Sequence, residues 1–326
     1  MGFISSVKKK LTQNNSSIYD PKQWKNMNEP KEIPKLEELT EEQENLLEKK
    51  MVWIFSPPRS GTTWLGSQLL RHPENIIWFE PWIGFHIGIV DNDKNVQQEE
   101  PQFERIYDTQ ASSSSYFFSP HHKKNWQPAL KKFILARAYS ESQSLEKNLI
   151  IKEPVGSHSA DIIMECFPKS KLIFLQRDGR DVVDSRLDMH GKGTWASLKP
   201  INPKQRQKTI KWYSYQWVKI NERIYRAFNN HNPDLRLAIK YENLKKDTLS
   251  ELRKIYDFLE IKISDEELVE LISTHDFKKI PEKEKGKGKF YRSASPGGWQ
   301  DNFNQDEQKL MNSIMKQTLK ELDYNI

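Results

Sequence analysis

Two turns in this chain have the composition of anion-binding sites. The first, residues 58–64, follows the apolar run 52–55 and precedes leucines spaced as on one face of a helix. A turn between a buried strand and a helix start presents free backbone N–H groups and the positive end of the helix dipole. Arg59 adds a fixed positive charge, and Thr62 and Thr63 add hydroxyl donors. We expect a phosphate-like group to bind here.

This first turn differs from the nucleotide-binding loop of kinases and ATPases. That loop reads G-x-x-x-x-G-K-[ST], whereas residues 58–64 contain one glycine, Gly61, and the cation Arg59 precedes it. Taken alone, the same residues are also consistent with an ordinary helix start that is capped by Ser56 or Ser60.

The second turn follows another apolar run, residues 172–175. Residues 176–185 read Gln-Arg-Asp-Gly-Arg-Asp-Val-Val-Asp-Ser. Arg177 lies just beyond the predicted strand, at the edge where doubly wound sheets bind their ligands, and Ser185 lies in the helix that follows. Alone, such a segment is typical of a capped turn with surface ion pairs. Together with the first turn, it predicts two phosphate-sized sites on one edge of a sheet.

The elements that must position these turns are those of an α/β fold. Four runs read as strands, and three of them are continuous and apolar, as parallel strands buried on both faces should be. The predicted strands are residues 52–55, 149–151, 172–175 and 235–239. Helices are predicted at about 158–167, 210–228, 249–259 and 305–322, with another opened by a capping box of Ser264 and Glu267. We expect a doubly wound, mostly parallel sheet flanked by helices.

Composition divides the chain into an N-terminal arm and one large domain. Residues 1–45 are polar, whereas 46–326 contain all the predicted strands. Within the domain, 84–145 reads as an insertion whose scattered aromatic residues either pack on the sheet or line an acceptor pocket. The N-terminus also fits an N-myristoylation pattern at Gly2, followed by three lysines.

Charge and cysteine content exclude several classes of protein. The 326 residues carry a formal net charge of +6, a mild bias toward anionic partners, without the dense basic stripe of a nucleic-acid binder. The single cysteine, Cys166, excludes an intrachain disulfide. We see no membrane-spanning run and no signal peptide, so we expect a cytoplasmic protein. The pair His121-His122 has no other ligands at a suitable spacing, and no metal site is predicted.

Four motifs in this order resemble those of the sulfotransferases that use 3′-phosphoadenosine 5′-phosphosulfate (PAPS). Residues 58–64 are similar to the family's 5′-phosphosulfate loop, and 177–185 to its 3′-phosphate motif. Residues 241–244 resemble its Tyr-Glu-Asp-Leu stretch, and 292–299 resemble the C-terminal cofactor loop of its cytosolic branch. The resemblance covers most of 50–305. It implies a fold like that of P-loop nucleotide hydrolases, with PAPS as the co-substrate.

The resemblance also assigns binding roles. The 59–63 loop would hold the phosphate that bears the sulfuryl group, Trp64 and Tyr241 would lie by the adenine, and the remaining residues would bind the 3′-phosphate. The implied PAPS-binding residues are Arg59, Ser60, Gly61, Thr62, Thr63, Trp64, Arg177, Ser185, Tyr241 and Arg292. After Arg292 the chain departs from the cytosolic pattern, because Ser293 and Ala294 replace its Lys-Gly pair.

The catalytic histidine of the cytosolic branch has no counterpart here. That branch has His after a Lys-Thr pair, and the matching stretch reads Lys152-Glu153-Pro154. Glu80 has the separation from Arg59 that the base glutamate has in the tyrosylprotein branch, which also carries Arg in its loop. The resemblance therefore implies that Glu80 is the general base and that Lys152, like Arg59, stabilises the transferring group. Glu153 is the alternative base.

The predicted reaction is sulfuryl transfer from PAPS to a hydroxyl or amine of a small-molecule, carbohydrate or peptide acceptor. Two other functions stay open. One is a nucleotide kinase that uses ATP, against which the missing Gly-Lys-[Ser/Thr] counts. The other is a nucleotide-binding protein without catalytic activity.

Overall fold

The computed structural model describes residues 38–87, 105–109, 115–191, 193–273, 286, 288–289 and 296–326. The predicted acylation site Gly2, the predicted phosphate ligand Arg292 and parts of the 84–145 insertion lie outside the described residues.

Five parallel strands form one sheet in the order β2-β3-β1-β4-β5. They are β1 Met51–Phe55, β2 Asn75–Phe79, β3 Asn148–Lys152, β4 Lys171–Gln176 and β5 Arg236–Lys240. Strands β1, β3 and β4 are buried along their whole length, which explains why they read as continuous apolar runs. The chain adds β2 and β3 on one side of β1, and β4 and β5 on the other. The direction of winding thus reverses at β1, and a crevice at such a point is where these sheets bind ligands.

Helices pack on both faces of the sheet, which confirms the predicted doubly wound α/β class. The α-helices of the described residues are α1 Glu41–Lys50, α2 Thr62–Leu69, α3 Ile83–His86, α4 Ile106–Thr109, α5 Lys123–Ser142, α6 Ala160–Cys166, α7 Gly179–Leu187, α8 Arg206–Asn230, α9 Tyr241–Lys246, α10 Thr248–Phe258, α11 Asp265–Ser273, α12 Trp299–Asn302 and α13 Gln305–Glu321. Short 3₁₀ turns occupy Pro120–His122, Gly156–Ser159, Pro203–Gln205 and Pro233–Leu235.

The alternation of side chains along the strands creates two cores. In β1, Trp53 and Phe55 point to the face covered by α5, α6, α7, α8 and α13, whereas Val52 and Ile54 point to the face covered by α2, α9, α10 and α11. Cys166 lies in the first core at 2% exposure. This burial raises the pKa of the thiol to about 11, so Cys166 is a structural residue of the core and not a reactive thiol.

The sequence analysis did not predict β2. This strand lies at an edge of the sheet and is only partly buried, so it lacks the continuous apolar signal of the central strands. Other boundaries shifted slightly: Leu235 belongs to a 3₁₀ turn before β5. The predicted capping box is confirmed, because the Ser264 and Glu267 side chains each accept the other's backbone N–H.

The compact unit that contains the sheet runs from Glu38 to Ile326. It opens with α1, which begins at a capping box of Thr40 and Gln43 and buries Leu47 and Glu48 completely. The predicted boundary between residues 45 and 46 therefore falls inside α1. Most of the residues in this helix are charged, so its composition does not indicate that one face is buried. Within the described ranges, no helix is both long and apolar enough to cross a bilayer.

Candidate active site

Each of the five strands ends beside a residue that the sequence analysis placed in the site. In sheet order these are Glu80 after β2, Lys152 at the end of β3, the 59–64 loop after β1, Arg177 after β4 and Tyr241 after β5. Parallel strands lie about 4.8 Å apart, so this row spans roughly 19 Å along one edge of the sheet. The fold therefore brings both predicted anion-binding turns to the same edge of the sheet. The predicted catalytic groups, the Glu80 carboxylate and the Lys152 ammonium group, lie at that edge as well.

The loop between β1 and α2 has a backbone that depends on glycine. Arg59 and Gly61 both adopt positive φ angles, of 76° and 91°. A Cβ atom on Gly61 would lie 2.5 Å from two ring carbons of Tyr241, so the loop packs directly against that ring. The Ser60 hydroxyl donates to the carbonyl of Pro57 at 2.8 Å and tightens the turn. Tyr241, predicted beside the adenine, thus also shapes the loop.

Helix α2 begins in this loop without a side-chain cap. Gly61 occupies the N-cap position, and neither Ser56 nor Ser60 caps the helix as the alternative interpretation required. No acidic residue occupies the first turn of α2. The positive end of the helix therefore remains suited to an external anion. Trp64, in the first turn of α2, is half-buried and packs against the core beneath α2.

The two predicted anion-binding turns form one connected cluster. Arg59 Nε donates to Ser185 Oγ at 3.0 Å, so the cation of the first turn reaches the hydroxyl of the second. In return, Arg177 Nη1 donates to the Arg59 carbonyl at 2.7 Å. The Arg59 guanidinium lies 5.2 Å from the Trp195 ring centroid, and that of Arg177 lies 4.6 Å from the Tyr241 ring centroid. These contacts fix both guanidinium groups at the same edge of the sheet.

Lys152 connects the anion-binding loop to Glu80. Its side chain is 1% exposed, and Nζ donates to Thr63 Oγ1 at 3.0 Å and pairs with Glu80 Oε1. Nζ also lies 3.9 Å from the Phe79 ring centroid. Burial lowers the pKa of Lys152 to about 8, opposed by the Glu80 carboxylate and assisted by the positive charge of Arg59. Lys152 is therefore a cation near neutral pH, in surroundings where its charge acts strongly.

Glu80 and Glu153, the two candidate bases, have different surroundings. The Glu80 side chain is 20% exposed, so it pairs with Lys152 while remaining accessible to another molecule. Glu153 is fully buried, and its two oxygens accept the backbone N–H groups of Ile83 at 3.1 Å and Gly156 at 2.7 Å. Burial raises the pKa of Glu153 to about 7. Accessibility favours Glu80 as the proton acceptor.

Carboxylates on α7 attach the C-terminal segment to the site. Asp181 accepts the backbone N–H of Gly297 at 2.8 Å and that of Trp299 at 3.3 Å, and Asp184 accepts from the Asn302 side-chain amide at 3.0 Å. Burial raises the pKa of Asp181. Since α7 also carries Ser185, the start of α12 is held next to the second anion-binding turn. The predicted contact of Arg292 lies outside the described residues.

Sequence reasoning missed two kinds of site residue. It gave Arg180 no role within the second anion-binding turn, whereas Arg180 is buried, pairs with Asp178 at 2.7 Å and lies 4.2 Å from the Trp299 ring centroid. The sequence carries no helix-face signal for this pair, because residues two positions apart do not face each other on a helix. It also missed Trp195, for which no local pattern existed, since the contact with Arg59 joins distant parts of the chain.

The described residues contain no group of three His, Cys, Asp or Glu side chains arranged to hold a metal ion. The pair His121-His122 lies in an exposed turn before α5.

A search of protein families decides the family of this chain. The profile of the sulfotransferase family matches residues 52–265, which include every described site residue from Arg59 to Tyr241. The chain belongs to the sulfotransferase family. Among curated proteins, sulfotransferase 2A6 of Rattus norvegicus is 25% identical over 166 residues, which are 46% of this chain and 57% of the rat protein. The match therefore spans less than two thirds of that relative.

Solved sulfotransferase structures share the fold. Mouse sulfotransferase SULT7A1, complexed with PAP, superposes with a TM-score of 0.52 at 16% identity, covering 87% of this chain and 90% of that one. Sulfotransferase STF9 from Mycobacterium avium gives a TM-score of 0.51 at 13% identity, covering 85% and 78%. The predicted family and the predicted fold of this sulfotransferase are thereby confirmed.

The packing of Gly61 on Tyr241 can be tested with a matched pair of glycine substitutions. Gly61→Ala places a methyl group against the Tyr241 ring at a positive φ, whereas Gly193 has a similar φ of 83° with no heavy atom within 4 Å of a Cβ. We expect Gly193→Ala to lower the free energy of unfolding by about 1 kcal/mol through backbone strain. Gly61→Ala should cost about 1–3 kcal/mol more through overpacking, measured by urea unfolding. Equal losses would contradict the contact.

Proposed function

We propose that this sulfotransferase transfers a sulfuryl group from PAPS to a hydroxyl or amine acceptor. The observation that supports the proposal most strongly is the position of Lys152. Its ammonium group contacts Thr63 of the anion-binding loop on one side and the accessible carboxylate Glu80 on the other. A buried cation thus lies between the place suited to the phosphosulfate and the candidate base.

The donor set fits a nucleotide that carries phosphates at both ends of its ribose. The uncapped start of α2 and Arg59 suit the 5′-phosphosulfate, and Arg177 and Ser185 suit the 3′-phosphate. Arg177 Nε is buried and has no hydrogen-bond partner among the described residues. Mouse SULT7A1, which has this fold, is complexed with PAP. We propose that PAP, adenosine 3′,5′-bisphosphate, is the nucleotide product that remains here after PAPS has lost its sulfuryl group.

The remaining binding roles follow from position. The backbone and hydroxyls of Ser60, Gly61, Thr62 and Thr63 line the loop that would hold the phosphosulfate. Trp64, in the first turn of α2, and Tyr241, whose ring packs on Gly61, would contact the adenine. Arg292 is proposed for the 3′-phosphate by the resemblance of its segment alone.

In the proposed reaction, the acceptor oxygen or nitrogen forms a bond to sulfur as the bond between sulfur and the bridging phosphate oxygen breaks. Glu80 takes the acceptor proton, and PAP leaves with the electron pair of the broken bond. Arg59 and Lys152 stabilise the charge on the sulfuryl oxygens and on the departing oxygen. A preorganised electrostatic group of this kind contributes roughly 10²–10³ in rate, about 3–4 kcal/mol.

Nucleotide binding tests the co-substrate directly. PAP should raise the melting temperature of the protein, because a ligand at about 100 times its dissociation constant adds about 2.7 kcal/mol to stability. That increment corresponds to a shift of roughly 5 °C for a domain of this size. ATP at the same concentration is the control, since it lacks the 3′-phosphate that Arg177 and Ser185 would bind. A shift with ATP and none with PAP would contradict the proposal and favour a kinase.

The pH dependence of the reaction tests the role of Lys152. The pKa of its ammonium group is lowered to about 8, so the stabilising charge is present below pH 8 and is lost as the pH rises through that value. With PAPS well below its KM and an alcohol acceptor that does not titrate, kcat/KM for PAPS, which reports the free enzyme, should therefore fall above about pH 8. Lys152→Arg keeps a permanent charge, and any activity it retains should not decline in that range. A wild-type kcat/KM for PAPS that is constant to pH 10 would contradict the assignment.

A further inference from the structure

Glu153 is a fully buried carboxylate that the proposed reaction does not use. It follows Lys152 at the end of β3, and its backbone N–H donates to the Ile54 carbonyl at 3.0 Å, which continues the ladder to β1. Its side chain turns away from the solvent. Oε1 accepts the backbone N–H of Gly156, and Oε2 accepts that of Ile83, the first residue of α3. The carboxylate thus joins the chain after β3 to the chain after β2.

The two chain segments joined by Glu153 also contact each other backbone to backbone. A Cβ atom on Gly84 would collide with the carbonyl group of Gly156, and one on Gly156 would collide with the Glu153 carboxylate. The Ser159 hydroxyl also donates to the carbonyl oxygens of Gly84 at 2.9 Å and Ile87 at 3.3 Å. Helix α3 is therefore held at its start by the Glu153 carboxylate, which accepts the Ile83 N–H. It is held further along by the Ser159 hydroxyl, which donates to the Gly84 carbonyl.

The segment held in this way contains an unusual turn. Glu80 and Trp82 have positive φ angles of 45° and 57°, in the left-handed region that non-glycine residues rarely adopt. Such conformations persist where surrounding contacts over-determine them. The N–H of Glu80 donates to the Lys152 carbonyl at 2.9 Å, and the N–H of Ile83 donates to Glu153. The two ends of the turn are thus bonded to consecutive residues, Lys152 at the end of β3 and Glu153 directly after it.

We propose that Glu153 is a positioning residue, which holds the turn 80–83 so that the Glu80 carboxylate meets Lys152. The inference rests on the proposed function insofar as Glu80 is the base. Glu153 acts through the backbone, since its oxygens contact N–H groups and it is closed to solvent. This role needs two acceptor oxygens. A glutamine has nearly the same shape but supplies one acceptor, and its NH₂ group would face a backbone N–H donor.

Glu153→Gln tests the inference, with Glu48→Gln as the matched control. Glu48 is also fully buried and accepts a backbone N–H, that of Lys169 at 2.9 Å, but it lies on α1 away from the site. Both variants are studied at pH 7.5, above the pKa of about 7 of Glu153. The measurements are hydrogen exchange of the Glu80, Trp82, Ile83 and Gly84 amides, kcat with PAPS, and PAP affinity by thermal shift.

We expect the amides of 80–84 to exchange at least tenfold faster in Glu153→Gln and to be unchanged in Glu48→Gln. A displacement of about 1 Å can cost about 10²-fold in rate, so kcat should fall roughly 10- to 100-fold while PAP affinity stays within twofold. Glu48→Gln should keep kcat within twofold. If Glu153→Gln does not fold, Ser159→Ala removes another contact with α3, and it should speed exchange of the Gly84 amide and lower kcat.

Unchanged amide exchange in a folded Glu153→Gln protein would overturn the inference. So would a loss of kcat in Glu153→Gln, with protected amides, larger than that in Glu80→Gln, because Glu153 would then be the base. A wild-type protein that binds PAP but transfers no sulfuryl group would instead overturn the proposed function, and the exchange measurement would still decide whether Glu153 holds the turn.

Discussion

The buried ammonium group of Lys152 is the interaction on which the rest of the site depends. An unpaired charge at this depth would be strongly destabilising, so its partners must be in place in the folded protein. Thr63 and Glu80 supply them from the segments that follow β1 and β2, the two strands that flank β3. The strand order β2-β3-β1 is therefore a requirement of the site, because it alone places the ends of β2 and β1 on either side of Lys152.

On the cationic side of the site, the positively charged residues Arg59, Arg177 and Lys152 are held close together. The Arg59 charge lowers the pKa of Lys152, and Arg177 bonds the Arg59 carbonyl. Groups of one sign that are held close together gain from an anion that relieves their repulsion. Because hydrogen bonds and ring contacts fix these cations before any ligand arrives, little reorganisation is needed at the moment of reaction. The contact between Arg59 and Ser185 extends this arrangement to the second turn.

The sequence predicted the parts of the fold that have strong local signals. Strands β1, β3 and β4 are buried on both faces and read as apolar runs, and the turns after β1 and β4 have anion-binding compositions. Strand β2 was missed because it is a partly exposed edge strand, so Glu80 was placed by resemblance and not by its position after a strand. Helix α1 was missed because only one face is buried. In both cases the structure depends on tertiary packing, which local composition hardly reveals.

The contacts that make the site were less predictable than the elements. Arg59 and Ser185 are 126 positions apart, and Lys152 and Glu80 are 72 apart. No local pattern encodes such pairs, although the rule that parallel strands share a carboxyl edge predicts their neighbourhood. The sequence also could not decide which glutamate is the base, because Glu80 and Glu153 differ in exposure and in hydrogen bonds, which only the fold determines. The distinction between a proton acceptor and a residue that holds its turn is therefore a structural one.

A double-mutant cycle between Lys152 and Glu80 tests the central claim most directly. Single-turnover sulfuryl transfer from PAPS would be measured for the wild type, Lys152→Met, Glu80→Gln and the double variant, each saturated with nucleotide. If the two residues act as a unit, the double variant should be about as slow as the slower single variant, because residues that act together show strongly non-additive effects. Losses that simply add in free energy would contradict the claim that Lys152 couples the donor site to the base.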